Sequence, residues 1–166
     1  MARPTGERET FRVLFVCTGN TCRSPTAEAI ARREVEARGW SRLEVRSAGV
    51  SAFGFEPASP GASRAAARRG IDLASHRSSP VTVDVLEWAD LVLTMSPGHL
   101  LRVTELGGGD KAELITAFAS GESDSGMAAA VRDPFGGDDA EYDETFFVLR
   151  ALVDQVLERL EPMLSR

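Results

Sequence analysis

Thiols are scarce in this chain: of its 166 residues only Cys17 and Cys22 are cysteine. Lying in one short segment, they can brace nothing, so a disulfide framework is excluded. Histidine is equally rare, and His76 and His99 stand in no ligand spacing with the cysteines, so no metal is expected. Nothing in the pattern asks for an organic cofactor either. Long apolar runs are missing: none approaches the ~20 residues of a membrane span, and the first residues lack the apolar core of a signal peptide. An excess of positive charge is missing too. A formal net charge of −6 argues against nucleic acid as a main partner. The expectation is a cytoplasmic protein with neither membrane nor nucleic acid among its partners.

What is present supports one folded unit. The length favours a single domain with a real core, and a hydrophobic content of 43% is ordinary for one. Polar residues 1–10 are expected to be a loose tail, and residues 11–166 the domain. Strand and helix signals alternate. Strands are expected at Phe11–Val16, Leu43–Ser47, Asp90–Met95 and Ala112–Phe118. Helices are expected at Thr26–Arg38, Ser63–Arg69, Ser79–Trp88, Pro97–Glu105 and Thr145–Leu164, with loops at 51–61 and 119–131. The last helix carries Leu149, Leu152, Val153, Val156, Leu157, Leu160 and Leu164 at helical spacing. Strands separated by helices imply an α/β fold: three layers, α/β/α, around a four-stranded parallel sheet. Ligands of such sheets bind at the carboxyl ends of the strands.

That is where the most informative segment falls. Residues 13–25 read Val-Leu-Phe-Val-Cys-Thr-Gly-Asn-Thr-Cys-Arg-Ser-Pro: a buried strand, a tight polar loop, a helix start. The loop between the first strand and first helix holds Cys17 and Arg23 with five residues between them. Phosphoryl transfer to sulfur needs a thiolate and donors for three phosphate oxygens at one point. Ser24 suits an N-cap and Pro25 the first helical position. Loop amides from Thr18, Gly19, Asn20, Thr21 and Cys22 can then converge on one anion, helped by the positive end of the helix. Arg23 can add a bidentate fork, and the same field favours a thiolate at Cys17. By itself Cys-x5-Arg is a common accident, and a buried Cys is usually a small hydrophobe. Strand, Gly-Asn and Ser-Pro together make the phosphate loop the better reading.

A thiolate that attacks phosphorus needs a partner to protonate the leaving group. Asp133-Pro134 is the candidate, with Phe135 beside it as an aromatic wall. Alone, the pair reads as an ordinary turn; the loop supplies the need for an acid. Asp138, Asp139, Glu141 and Asp143 read as solvated loop and helix-start charges.

With these residues in view, the chain resembles the low-molecular-weight protein tyrosine phosphatases from about residue 11 to 164. The resemblance rests on Val-Cys-x-Gly-Asn-x-Cys-Arg-Ser-Pro, Ser47-Ala48-Gly49, His76 and Asp133-Pro134. It implies a phosphatase that works through a cysteinyl-phosphate intermediate, with Cys17 as nucleophile, Arg23 as phosphate clamp and Asp133 as acid, then base. It further implies that Ser24 assists the Cys17 thiolate and that Asn20 holds the loop open through Ser47 and His76. Partners would be phosphorylated proteins, with inorganic phosphate or another oxyanion as product or inhibitor.

Thr21 stands where tyrosine-specific relatives usually carry a larger aliphatic, and the acid segment reads Asp-Pro-Phe-Gly-Gly. Both features resemble the bacterial protein-arginine phosphatases. A small polar wall can admit a planar guanidinium, which Asp133 can pair with while giving a proton to nitrogen. Phosphotyrosine is the alternative, and Phe53, Phe55 and Phe135 are candidate walls for either. Arsenate reduction on this fold passes oxidation to a third cysteine that the chain lacks. A silent phosphate-binding module fits poorly with Cys17, Arg23 and Asp133 together. Cys22 reads either as a small packed residue or as a redox partner that forms a disulfide with Cys17.

Overall fold

A computed structural model of the chain describes residues 10–121 and 130–164. Its strands are β1 (Phe11–Cys17), β2 (Leu43–Gly49), β3 (Leu91–Thr94) and β4 (Ala112–Leu114). Its helices are α1 (Arg23–Ala37), α2 (Pro60–Ala67), α3 (Val83–Trp88), α4 (Pro97–Glu105), α5 (Ile115–Ser120) and α6 (Asp139–Leu164). Among the described residues the strands form one parallel sheet in the order β2-β1-β3-β4.

β1 sits in the middle, so both its faces are covered, which is why its sequence is a continuous apolar run rather than an alternating one. Successive side chains enter different layers. Val13 and Phe15 join Ile30, Ala62, Leu149, Val153 and Leu157 in the larger core, under α1, α2, α5 and α6. Leu14 and Val16 join Leu86, Val92 and Val103 in the smaller one, under α3 and α4. The three expected layers are present. Cys17 pairs with Gly49 and Val16 with Thr94, so three strands end together. The chain leaves β1 toward β2 on one side and reaches β3 on the other, which opens a crevice at Cys17.

Several element boundaries differ from the sequence reading. α1 starts at Arg23, with Cys22 as its N-cap, so Ser24 and Pro25 lie inside the first turn and Ser24 does not cap it. The helix expected at Ser79–Trp88 begins only at Val83, capped by Thr82 Oγ1, because Ser79 and Pro80 run extended beside the cysteine loop. β4 stops at Leu114. Ile115, Ala117 and Ala119 alternate like a strand but are the buried positions of α5, which Gly121 ends in a left-handed conformation. α6 starts at Asp139 rather than Thr145, since Asp138 Oδ1 accepts from Glu141 N–H at 3.0 Å and acidic residues fill the first turn. α2 spans Pro60–Ala67 rather than Ser63–Arg69, with Pro60 in its first turn. Asp139 and Asp143 are not merely solvated: they pair with Arg64, Arg68 and Arg69 and tie α6 to the end of α2.

Apart from Thr10, the expected tail lies outside the described residues, as do positions 122–129 of the expected loop. Among the described residues no helix is long and apolar enough to cross a membrane.

Candidate active site

The segment after β1 turns its carbonyls outward. Cys17 O accepts from Val50 N–H at 3.0 Å, Thr18 O from Ser51 N–H at 2.9 Å and Thr21 O from Ser59 N–H at 2.8 Å. Asn20 O accepts from His76 Nε2 at 2.7 Å. Cys22 O accepts from Thr26 N–H at 3.1 Å within the first turn of α1. In a trans peptide each carbonyl points opposite to the next N–H. The amides of Thr18, Gly19, Thr21, Cys22 and Arg23 therefore face the hollow of the loop, where they can share one anion. Asn20 makes the turn at a φ of 57°, a left-handed conformation that Asn tolerates. β2 meets the loop at Gly49, where a Cβ would come within 2.8 Å of Asn20 N and 3.0 Å of Gly19 C. No larger residue fits without moving the loop.

Inside the hollow, Cys17 Sγ and Ser24 Oγ are 2.9 Å apart and both buried. Asn20 Nδ2 donates to Ser24 Oγ at 2.8 Å and to Ser47 Oγ at 2.9 Å, and Ser47 Oγ in turn donates to Glu28 Oε1 at 2.7 Å. Of the residues expected to bond Asn20, Ser47 meets its side chain and His76 its backbone carbonyl. Arg23 is buried as well. Its Nη1 donates to Val131 O at 3.0 Å and its Nη2 to Thr18 Oγ1 at 3.3 Å, which aims the fork across the mouth of the loop.

Asp133 meets this group from the far end of the chain, with Oδ2 3.5 Å from Arg23 Nη2. Its Oδ1 accepts from Phe135 N–H at 3.0 Å, a local turn that holds the carboxylate over the loop while leaving it 48% exposed. A cleft of about 370 Å³ joins Cys17, Thr18, Thr21, Cys22, Arg23 and Asp133, with Phe53, Glu56 and Phe135 at its rim. Phe55, expected as a third wall, is not among the lining residues. Burial, then the charges of Cys17 and Asp133, push the Cys22 thiol up to about 12.

The sequence model of the family described as low molecular weight phosphotyrosine protein phosphatase matches residues 12–165. The chain belongs to that family. The protein-arginine-phosphatase of Geobacillus stearothermophilus is 39% identical over 91% of this chain and 97% of its own length. A solved structure of the YwlE arginine phosphatase, a cysteine-to-serine mutant with a phosphorylated active-site serine, is 37% identical. It superposes with a TM-score of 0.83, covering 91% of this chain and 96% of that one. A low molecular weight protein tyrosine phosphatase from T. tengcongensis is as similar, at 38% identity and a TM-score of 0.83 over 91% and 100% of the two chains. This low molecular weight phosphatase is a hydrolase, and its described residues place a four-stranded parallel sheet at its centre.

Sequence reasoning missed four residues that bond the cysteine loop, Ser47 or Arg23. Ser79 N–H donates to Asn20 Oδ1 at 2.8 Å, Glu28 anchors Ser47, and Val131 O holds Arg23. The fourth is His99, 5% exposed, whose Nε2 lies 2.8 Å from Thr18 Oγ1. Burial and the charge of Arg23 pull its pKa down to about 4. One signal was available for His99: it sits in the first turn of the helix that starts at the carboxyl end of β3, beside the crevice.

Proposed function

We propose that this protein removes phosphoryl groups from protein phosphoarginine through a phosphate ester of Cys17. The observation that carries the mechanism is the convergence of Cys17, Arg23 and Asp133 on one amide-lined hollow. In the first step the Cys17 thiolate attacks phosphorus while loop amides and Arg23 hold the equatorial oxygens. The phosphorus–nitrogen bond breaks, and Asp133 gives its proton to the leaving guanidine nitrogen. In the second step Asp133 takes a proton from water, whose oxygen attacks the phosphocysteine. Inorganic phosphate leaves and the thiolate returns. Ser24 donates to the charged sulfur in both its roles, as nucleophile and as leaving group.

Arginine specificity is supported by Thr21, which lines the cleft where an aliphatic would narrow it, and by the Glu56 carboxylate on the same cleft. The phosphorylated guanidinium keeps a positive charge that Glu56 can pair with, and its N–H groups can donate to the carbonyl oxygen of protonated Asp133; a phenol offers neither. Phe53 and Phe135, 92% and 81% exposed, offer faces on which a guanidinium can stack. The identity with proteins named arginine phosphatases points the same way. Phosphotyrosine is the second reading, favoured by the equally similar tyrosine phosphatase and by the same aromatic rim.

The test is the ratio of kcat/KM on phosphoarginine and phosphotyrosine peptides, for the parent and for Thr21→Ile. The parent should prefer phosphoarginine, and the variant should move the ratio toward phosphotyrosine by about 10–200-fold, the usual worth of such a pocket change. A parent that prefers phosphotyrosine, or a ratio that does not move, replaces the arginine reading with the tyrosine one. We further propose that the protein acts in the cytoplasm and that Cys22, in the same loop as Cys17, forms a disulfide with it on oxidation.

A further inference from the structure

We infer that His99 is a positioning residue that turns the hydroxyl of Thr18 into a donor for the bound phosphoryl group. The inference rests on the reading of the cysteine loop as the phosphoryl site. Thr18 lines the cleft beside Cys17, and its Oγ1 stands between two nitrogens, Arg23 Nη2 at 3.3 Å and His99 Nε2 at 2.8 Å. A guanidinium only donates, so Thr18 Oγ1 accepts from Arg23. The direction of the second bond decides what the hydroxyl proton can do.

His99 sits on α4 with its N–H held by Ser96 Oγ at 3.3 Å, and its ring is neutral at ordinary pH because of its burial beside Arg23. Its Nδ1 is buried and has no hydrogen-bond partner among the described residues. Were the ring proton on Nδ1, that N–H would be stranded in the interior, and Thr18 would spend its own proton on Nε2. With the proton on Nε2, the stranded atom is only a lone pair, and Thr18 Oγ1 accepts two bonds. Buried donors are orphaned less readily than acceptors, which favours the second arrangement. Both lone pairs of Oγ1 are then engaged, and the O–H has the cleft left to point into. Thr18 thus adds a side-chain donor to the amide cradle, and His99, which touches no substrate, fixes its direction. The bond from Arg23 to the same oxygen ties the clamp into the same unit.

The proton position can be read on the unaltered protein with bound inorganic phosphate, from the ring nitrogen shifts of His99 in an NMR spectrum. Protonation at Nε2 is expected; protonation at Nδ1 overturns the inference. Inhibition by inorganic phosphate gives the energetic test. Thr18→Val should raise Ki by roughly 10–100-fold, the size of one lost bond to a charged group. His99→Leu should raise it about as much, and His99→Asn, whose amide can still donate, should restore part of the loss. The double variant should bind phosphate no more weakly than Thr18→Val alone. A Ki unmoved in both His99 variants, with only thermal stability lowered, would reduce His99 to a packing role. Should phosphate fail to inhibit the parent competitively, the phosphatase reading itself falls; normal inhibition of the parent with an unmoved variant overturns only the inference about His99.

Discussion

Asn20 and Ser24 are joined side chain to side chain, Nδ2 to Oγ, at 2.8 Å. The Asn20 amide cannot be turned around, because its carbonyl oxygen accepts from Ser79 N–H at 2.8 Å. Ser24 Oγ is therefore an acceptor toward Asn20, and its own proton is free for Cys17 Sγ at 2.9 Å. Asn20 thus fixes the polarity on both sides: Ser47 turns its proton away to Glu28, and Ser24 turns its proton toward the sulfur.

Ser24→Ala should lower kcat by about 10–100-fold, since a hydrogen bond to a charged group is worth roughly 1.5–3 kcal/mol. The melting temperature should move little, because the small side chain leaves no large cavity. Steady-state kinetics and a thermal scan on the same preparation check this; unchanged kcat would remove Ser24 from the chemistry.

Asp133→Asn should separate leaving groups. A positioned acid typically contributes ~10²–10⁴-fold, and a good leaving group needs it least. Hydrolysis of p-nitrophenyl phosphate should fall less than hydrolysis of an ester with a poor leaving group at the same pH. Equal losses would shift the role to a neighbouring carboxylate such as Glu56.

Much of this site was legible before the fold was known, because its core is local. Cys17, Arg23 and the amides between them belong to one unbroken segment, and a strand before it and a helix after it fix its shape. Asp133 was readable only through the demand for an acid. Ser79 and Val131 O were not readable at all, and His99 only by its place after β3: each reaches the loop by tertiary packing that no spacing encodes. The strand expected through Phe118 failed for a related reason. Ile115, Ala117 and Ala119 satisfy a two-residue period, yet packing against α6 selects the helix.

Mild peroxide should inactivate the enzyme reversibly. Oxidation takes the Cys17 thiolate to a sulfenic acid, and the Cys22 thiol then displaces water to form the disulfide. With its pKa pushed up to about 12, Cys22 is a poor target for peroxide itself. Part of that rise comes from the charge on Cys17 and disappears once the sulfur is a neutral sulfenic acid. Dithiothreitol should restore the parent and fail to restore Cys22→Ser after prolonged exposure. Equal recovery would leave Cys22 without a protective role.

Stability should fall on mild acidification through His99. Its pKa is about 4 in the fold against an ordinary 6.5, so the unfolded chain takes up a proton that the native state refuses. The contribution is complete above about pH 6.5 and is lost as pH falls toward 4, amounting to roughly 3 kcal/mol at most. Asp143, held below its ordinary value by Arg68 and Arg69, is common to the parent and the His99 variant and cancels in their comparison. Urea midpoints between pH 7 and 4.5 should fall less steeply for His99→Asn than for the parent; parallel slopes would contradict the assignment.

The most direct measurement is a rapid-quench experiment on Asp133→Asn with p-nitrophenyl phosphate, whose good leaving group needs the acid least, followed by proteolytic digestion and mass spectrometry. Without its base the variant should stall after the first transfer, and one phosphoryl group should be found on the peptide that carries Cys17 and on no other. The same quench on Cys17→Ser should show no turnover, with any trapped phosphate on the substituted side chain alone, stable as an oxygen ester. Phosphate that leaves the substrate without ever appearing at position 17 would contradict the covalent mechanism.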